Sequence, residues 1–246
     1  MADNTIPVAL ITAGSAGLGA AASKLFARSG YRVIINYSSN TERAEKLLAG
    51  LGGNGHTAIK ADLSSRTDVE RLVKDAVAAS GRLDVVFSNG GWTAFRDTTR
   101  LDDNVFDEDW DRAFVMNVKS HLWLLHAAEA HLAEQDGAFI TTASLAGVNG
   151  MGSSLAYSAA KAAQIHMVRG LASMVGPNIR VNSVSPGLLE TEWAERFSPE
   201  QKEATLAKTK LKRFATVDDV AEQVLGLAKS KSITGVNIII DAGVNV

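Results

Sequence analysis

The stretch Val8-Ala-Leu-Ile-Thr12-Ala-Gly-Ser-Ala-Gly17-Leu-Gly19 decides how this chain folds. Its first five residues are apolar or β-branched and read as a short strand over 8–12. Glycines at 14, 17 and 19 mark a turn, and 17–28 then has helical spacing, with Gly30 behind it as a stop signal. A strand that passes through a glycine-rich turn into a helix opens a βαβ unit. Glycines let the backbone turn sharply and approach a bound group closely. The helix N-terminus adds free N–H groups and positive partial charge. The turn is therefore expected to hold a pyrophosphate, through Gly14, Ser15, Ala16, Gly17, Leu18 and Gly19.

Working outward, the alternation continues. Strands are expected over 33–37, 56–60 and 85–88, with helices over 41–51 and 66–80 between them. A long helix is expected over 106–134 and another over 155–174, with strands over 138–143 and 179–185. A helix over 217–228 precedes a last strand, 236–240. Strands that alternate with helices pair in parallel through right-handed crossovers. The runs VIIN and VNIII are apolar on both faces, as buried parallel strands require. No linker, repeat or low-complexity tract breaks the pattern. The expectation is a single α/β domain over 1–246, a doubly wound Rossmann fold with a mostly parallel seven-stranded sheet. Ligands of such sheets bind beyond the carboxyl ends of the strands. The long stretch that follows the sixth strand is thus a candidate lid, residues 188–214.

Composition narrows the function classes. The chain has 246 residues, is 46% hydrophobic and carries a formal charge of -2, which offers no electrostatic basis for a nucleic-acid partner. It has no cysteine, so a disulfide framework and a thiolate metal site are both excluded. No secretory signal or membrane-length apolar run is visible, which suits a cytoplasmic setting. His126, Glu129 and His131 resemble a metal motif faintly, but on a helix His131 points away from the other two, and no metal is expected.

Tyr157 and Lys161 stand four apart and share one face of a helix, with Ser144 thirteen residues upstream at a strand end. A lysine ammonium beside a phenol favours the phenolate, so Tyr157 becomes a candidate proton donor and acceptor near neutrality. A competing reading places a nucleophile elbow at Ala13-Gly-Ser15-Ala-Gly17. The first position is not glycine, the elbow would lie on the first strand, and no histidine follows His166.

Thr12–Gly19, Asp62, Ser88-Asn89-Gly90-Gly91, Asn117, Ser144, Tyr157, Lys161, Pro186-Gly187 and Asp241-Ala-Gly243 have the order and spacing of one family. Over essentially its whole length the chain resembles the short-chain dehydrogenases/reductases. It looks closest to ketoreductase-type members, including β-ketoacyl carrier-protein reductases and fungal naphthol reductases. Two departures stand out. Ala13 replaces a glycine, a strain that Gly14 is expected to absorb, and Ser88-Asn89-Gly90-Gly91 stands where the family has Asn-Asn-Ala-Gly.

The resemblance implies hydride transfer between a nicotinamide and a ketone or secondary alcohol. Tyr157 would move the proton, Ser144 would orient the substrate oxygen, and Lys161 would hold the nicotinamide ribose. Asn117 would bind a water that links Lys161 to solvent. Pro186, Gly187 and Thr191 would close over the nicotinamide, Asp62 and Leu63 would meet the adenine, and Asn89, Gly90 and Gly91 would pack nearby. The end of the second strand carries Asn36, Tyr37 and Ser38 but no acid, so NADPH is expected over NADH. Arg43 follows close by, and Glu190, Glu192 and Glu195 read as solvated acids. Trp92, Met151, Trp193 and Phe197 could face a fairly large, apolar or aromatic substrate. The resemblance also implies a homotetramer, with Leu122, Leu125, Ile165 and Val168 available on two long interface helices. Alternatives are a catalytically silent NADP(H)-binding scaffold, or a dehydratase or cyclase on the same fold.

Overall fold

The computed structural model describes residues 5–53, 55–150 and 152–246. Strands β1 (Val8–Ile11), β2 (Arg32–Tyr37), β3 (Thr57–Lys60), β4 (Val85–Ser88), β5 (Ala138–Thr142), β6 (Arg180–Pro186) and β7 (Asn237–Ile240) form one sheet in the order β3-β2-β1-β4-β5-β6-β7. Every neighbouring pair is parallel. The sheet grows in one direction from β1 to β3 and in the other from β4 to β7. The point of reversal lies between β1 and β4, where their carboxyl ends splay the following loops apart and leave a crevice.

The period of two along each strand divides the core. Val8, Leu10, Ile34, Val86 and Phe139 face α3 (Arg66–Ser80), α5 (Ser120–Ala133) and α7 (Leu155–Val175). Ala9, Ile11, Val33, Ile35, Phe87 and Ile140 face the other way, onto α1 (Gly17–Arg28) and α9 (Val217–Lys229). The remaining helices are α2 (Thr41–Ala49), α4 (Asp107–Phe114), α6 (Ala146–Asn149) and α8 (Pro199–Lys208).

Three differences from the sequence reading bear on the site. The expected 106–134 helix is α4 and α5 joined by a π-helical segment, Val115–Lys119, which contains Asn117. The Asn117 Nδ2 donates to the Ala113 carbonyl four residues back at 3.0 Å and to the Trp92 carbonyl at 2.8 Å. Side-chain insertion of this kind accompanies local widening of a helix. Second, the short helix α6, unforeseen, follows Ser144 directly. Third, Leu125 and Val168 are core residues, 2% and 1% exposed, and do not reach an outer face. Both flanks of their helices are apolar, so periodicity alone could not tell core from interface. Leu122 is exposed and Ile165 is half-buried.

Candidate active site

The glycine-rich turn leaves β1 and enters α1 without a side-chain cap. The N-cap is Ala16, and no side chain accepts a hydrogen bond from the first turn. The free N–H groups of Gly17, Leu18 and Gly19 therefore remain available to an anion, as the sequence suggested. The strain at the departure from the family pattern falls differently from expectation. Ala13 itself sits at φ 47, in the left-handed region, while Gly14 does not. Gly14 is instead a site of close approach: a Cβ there would lie 2.7 Å from the Ile11 carbonyl oxygen.

Asn36 corrects another expectation. It is 1% exposed, and its Oδ1 accepts from the Ala13 N–H at 3.2 Å. Its Nδ2 lies within hydrogen-bonding distance of the carbonyls of Tyr37, Ile59 and Ala61. The side chain braces β2, β3 and the glycine-rich turn, so it has no free group to offer a 2′-phosphate. Tyr37 is half-buried and Ser38 exposed, both at the crevice side of β2. Asp62 is exposed and uses one oxygen to hold Ser64. Ser65, not Asp62, caps α3. Leu63 lies under Gly90, where an added Cβ would come within 2.2 Å of the leucine Cδ1.

Thr12 was not singled out as a site residue, yet it ties the two loops of the crevice together. Its hydroxyl accepts from the N–H groups of Asn89 at 2.8 Å and Gly90 at 3.2 Å. Asn89 in turn accepts from Thr142 at 2.9 Å. Ser88, where the family has asparagine, pairs with the buried His121 at 2.6 Å. Burial, helped by the nearby Lys161 charge, holds His121 well below its ordinary pKa, so it is neutral.

Ser144, Tyr157 and Lys161 come together as expected. Ser144 follows β5; its hydroxyl accepts from the Ala146 N–H at 3.1 Å and lies close enough to the Tyr157 phenol to lower its pKa. The Lys161 ammonium nitrogen stands 5.7 Å from the centroid of the Tyr157 ring. It donates to the Thr142 carbonyl at 2.7 Å and to Gln164 Oε1 at 2.9 Å. The helix α7 that carries both residues starts at Ser154, whose hydroxyl accepts from the Tyr157 N–H. Gly147 lets α6 rest on α7: a Cβ there would lie 2.5 Å from the Lys161 carbonyl carbon. This close approach fixes Ser144 relative to the other two residues.

The protonation balance runs opposite to the sequence expectation. Burial raises the Tyr157 pKa, against a smaller lowering by the Ser144 hydrogen bond. Burial also lowers Lys161 to about 7. In a low-dielectric cleft both groups favour their neutral forms, and for Tyr157 desolvation outweighs the effect of Ser144. Tyr157 is thus a phenol near neutrality, the form that can give a proton to a carbonyl oxygen. Lys161 exchanges its proton within the same range.

Asn117 is fully buried, and the Trp92 backbone occupies both ends of its amide, the N–H reaching Oδ1 at 3.1 Å. Its carboxamide borders Gly91, where a Cβ would meet Asn117 Oδ1 at 2.9 Å and the Lys161 nitrogen at 3.6 Å. Pro186 ends β6, and its carbonyl accepts from the Leu145 N–H beside Ser144. Gly187 packs on Asp241.

The stretch after β6 contains α8, capped by Ser198 and Gln201. Thr191 does not cap it. Its side chain rests against the glycine-rich turn, 3.3 Å from where a Gly17 Cβ would stand. The Trp193 ring lies 6.4 Å from the Tyr157 ring. Phe197 packs edge-on to Phe95, a residue missed in sequence, and both line a cleft of about 500 Å³ with Arg96, Gly152, Ser153 and Arg196. Trp92 packs instead with Ala113, Ala156 and Ala160, under the Arg112 guanidinium. Met151 lies outside the described residues. Among the described residues no cluster of histidines and acids could hold a metal, and no helix is long and apolar enough to cross a membrane.

The family described as enoyl-(acyl carrier protein) reductase matches residues 12–245. A ketoacyl reductase of the granaticin polyketide synthase from Streptomyces violaceoruber is 36% identical, over 96% of this chain and 95% of that protein. The 3-oxoacyl-(acyl-carrier-protein) reductase of Thermotoga maritima is 32% identical, over 96% of each. A short-chain dehydrogenase from Burkholderia cenocepacia, solved in complex with NADP, superposes with a TM-score of 0.88 at 33% identity, over 98% of each chain. The chain belongs to the short-chain dehydrogenases/reductases, with the ketoacyl reductases among its relatives. It is an oxidoreductase of the ketone and alcohol class.

Proposed function

We propose that this protein is an NADPH-dependent carbonyl reductase acting on a fairly large apolar or aromatic ketone, and on the corresponding alcohol in reverse. One observation carries the reading: the start of the lid joins the uncapped α1 N-terminus to the Ser144–Tyr157–Lys161 cluster, with Thr191 against Gly17 and the Trp193 ring 6.4 Å from that of Tyr157. The fit to a dinucleotide is good. The cradle of Gly14, Ser15, Ala16, Gly17, Leu18 and Gly19 would hold the pyrophosphate, and Asp62, Leu63 and Asn89 would flank the adenine end. The absence of an acid in 35–40 favours a 2′-phosphate over a bare ribose. When bound, the nicotinamide supplies or accepts hydride.

The chain's own residues handle the oxygen and its proton. Ser144 bonds the substrate oxygen and holds it at Tyr157. Tyr157, neutral through burial, gives that oxygen its proton in reduction and takes one back in oxidation. Lys161, titrating at about 7, restores the tyrosine proton. The rings of Trp193, beside Tyr157, and of Phe95 and Phe197, in the neighbouring cleft, support an aromatic substrate.

A homotetramer, a cytoplasmic setting and no nucleic-acid partner complete the proposal. Exposed Leu122, Leu155 and Met174 on α5 and α7 are the apolar surface that such an assembly would cover. A ketone and quinone panel followed by NADPH oxidation, with NADH in parallel, tests the reading. Turnover of bicyclic aromatic ketones with NADPH is expected. Equal turnover with NADH would remove the cofactor assignment, and binding without any turnover would favour a silent scaffold.

A further inference from the structure

Arg43, in the first turn of α2, bridges the crevice. Its Nη1 donates to both carboxylate oxygens of Glu192, at 2.8 and 2.9 Å, across 149 positions of sequence. Glu192 is therefore not merely a solvated acid. Its neighbour Thr191 rests on Gly17 of the glycine-rich turn, and its other neighbour, Trp193, stands over Tyr157. The root of the lid thus spans the crevice from the pyrophosphate cradle to α2. Arg43 also has a buried Nε with no partner, so its guanidinium holds donor capacity that Glu192 does not use.

We propose that Glu192 is an internal stand-in for the 2′-phosphate of the dinucleotide, and that Arg43 exchanges one for the other. This rests on the NADPH reading above. Arg43 follows the acid-free end of β2, where an arginine would meet a 2′-phosphate. A single guanidinium cannot satisfy a carboxylate and a phosphate carrying about two negative charges without the two anions repelling. The phosphate, with more charge and three acceptor oxygens, displaces the carboxylate. Its arrival then frees the root of the lid, and Trp193 moves with it. A dinucleotide lacking the 2′-phosphate leaves the bridge in place. Glu192 therefore sets cofactor discrimination from the lid, and the lid registers which dinucleotide has bound.

Adenosine 2′,5′-bisphosphate and 5′-AMP are the probes, since neither carries a nicotinamide. Calorimetry gives affinity, and tryptophan emission gives the lid position, with Trp193→Phe identifying the Trp193 component. The bisphosphate is expected to shift Trp193 emission and 5′-AMP is not. Glu192→Gln should bind the bisphosphate about three- to fivefold more tightly, the size an exposed ion pair supplies. It should also show the shifted emission before any ligand is added. Arg43→Gln should show that emission too, with weakened bisphosphate binding. Preferential bisphosphate binding that Glu192→Gln leaves unchanged would overturn the exchange while keeping the NADPH reading. Equal binding of the two probes would overturn both.

Discussion

The reaction centre and the lid are built on opposite principles. Ser144, Tyr157 and Lys161 sit where α6, α7 and β5 meet, and each is tied to backbone or to another buried side chain. The lid helix α8 has no buried residue and is held by its own capping box and by the Lys212 ammonium, which donates to the Ala207 carbonyl. Rigid packing around the centre fixes the geometry of proton transfer. Loose packing around the lid leaves the choice of ligand to a few exposed groups, which can rearrange at small cost.

The largest break in this comparison should come from Tyr157→Phe, which removes the proton donor while keeping the ring. Turnover should fall by about 10²–10⁴-fold, with dinucleotide affinity by calorimetry nearly unchanged. Near-wild-type turnover would mean that the centre has been misassigned.

Next in size is the pH response of the centre. Lys161 is lowered from 10.5 to about 7, so between those values the unfolded chain binds more protons than the folded one. Stability contributed at this position therefore rises with pH across the window, by at most about 1.4 kcal/mol per unit. The penalty of burying the ammonium is in full force below pH 7. Wild type should gain stability relative to Lys161→Met between pH 6.5 and 9.5, as read from denaturant midpoints. A difference independent of pH would show that Lys161 is not desolvated.

A smaller effect separates the two regions directly. Gly147→Ala places a methyl 2.5 Å from the Lys161 carbonyl carbon and 2.7 Å from the Ala162 nitrogen. It should destabilise by about 1–3 kcal/mol and lower turnover as Ser144 is pushed out of line. Glu203→Ala on α8 should change stability by less than about 0.5 kcal/mol. Thermal melts of the two variants make the contrast.

The smallest expected change is Ala13→Gly. Relief of a left-handed alanine should stabilise by up to about 1 kcal/mol. No gain would mean that the turn tolerates φ 47 without strain.

Much of this was legible in the chain itself. The strand–helix order follows from hydrophobic period and glycine stops, and the three catalytic residues follow from spacing on one helix and a strand end. What could not be read depends on three-dimensional neighbours. Asn36 has the residue type of a phosphate ligand, but backbone carbonyls of β2 and β3 consume its donors. The direction of the Tyr157 shift is set by burial in the cleft, which the spacing of the residue pair does not carry. Leu125 and Val168 looked like interface residues because their helices are apolar on more than one face. The Arg43–Glu192 bridge joins positions too distant in sequence for any local pattern to register.

The π-helical segment at Val115–Lys119 has a consequence for anyone redesigning this scaffold. It is in effect one residue too many for a regular helix, retained because it turns Asn117 toward Trp92. Deleting a residue there to regularise the helix would leave α4 and α5 close to their present orientations, because the widened turn absorbs the extra residue, but would move Asn117 off the face that meets Trp92. The amide clamp would then be lost even though every remaining side chain had been kept. In this stretch the register is the functional trait, and a residue-by-residue tally of identities would miss it.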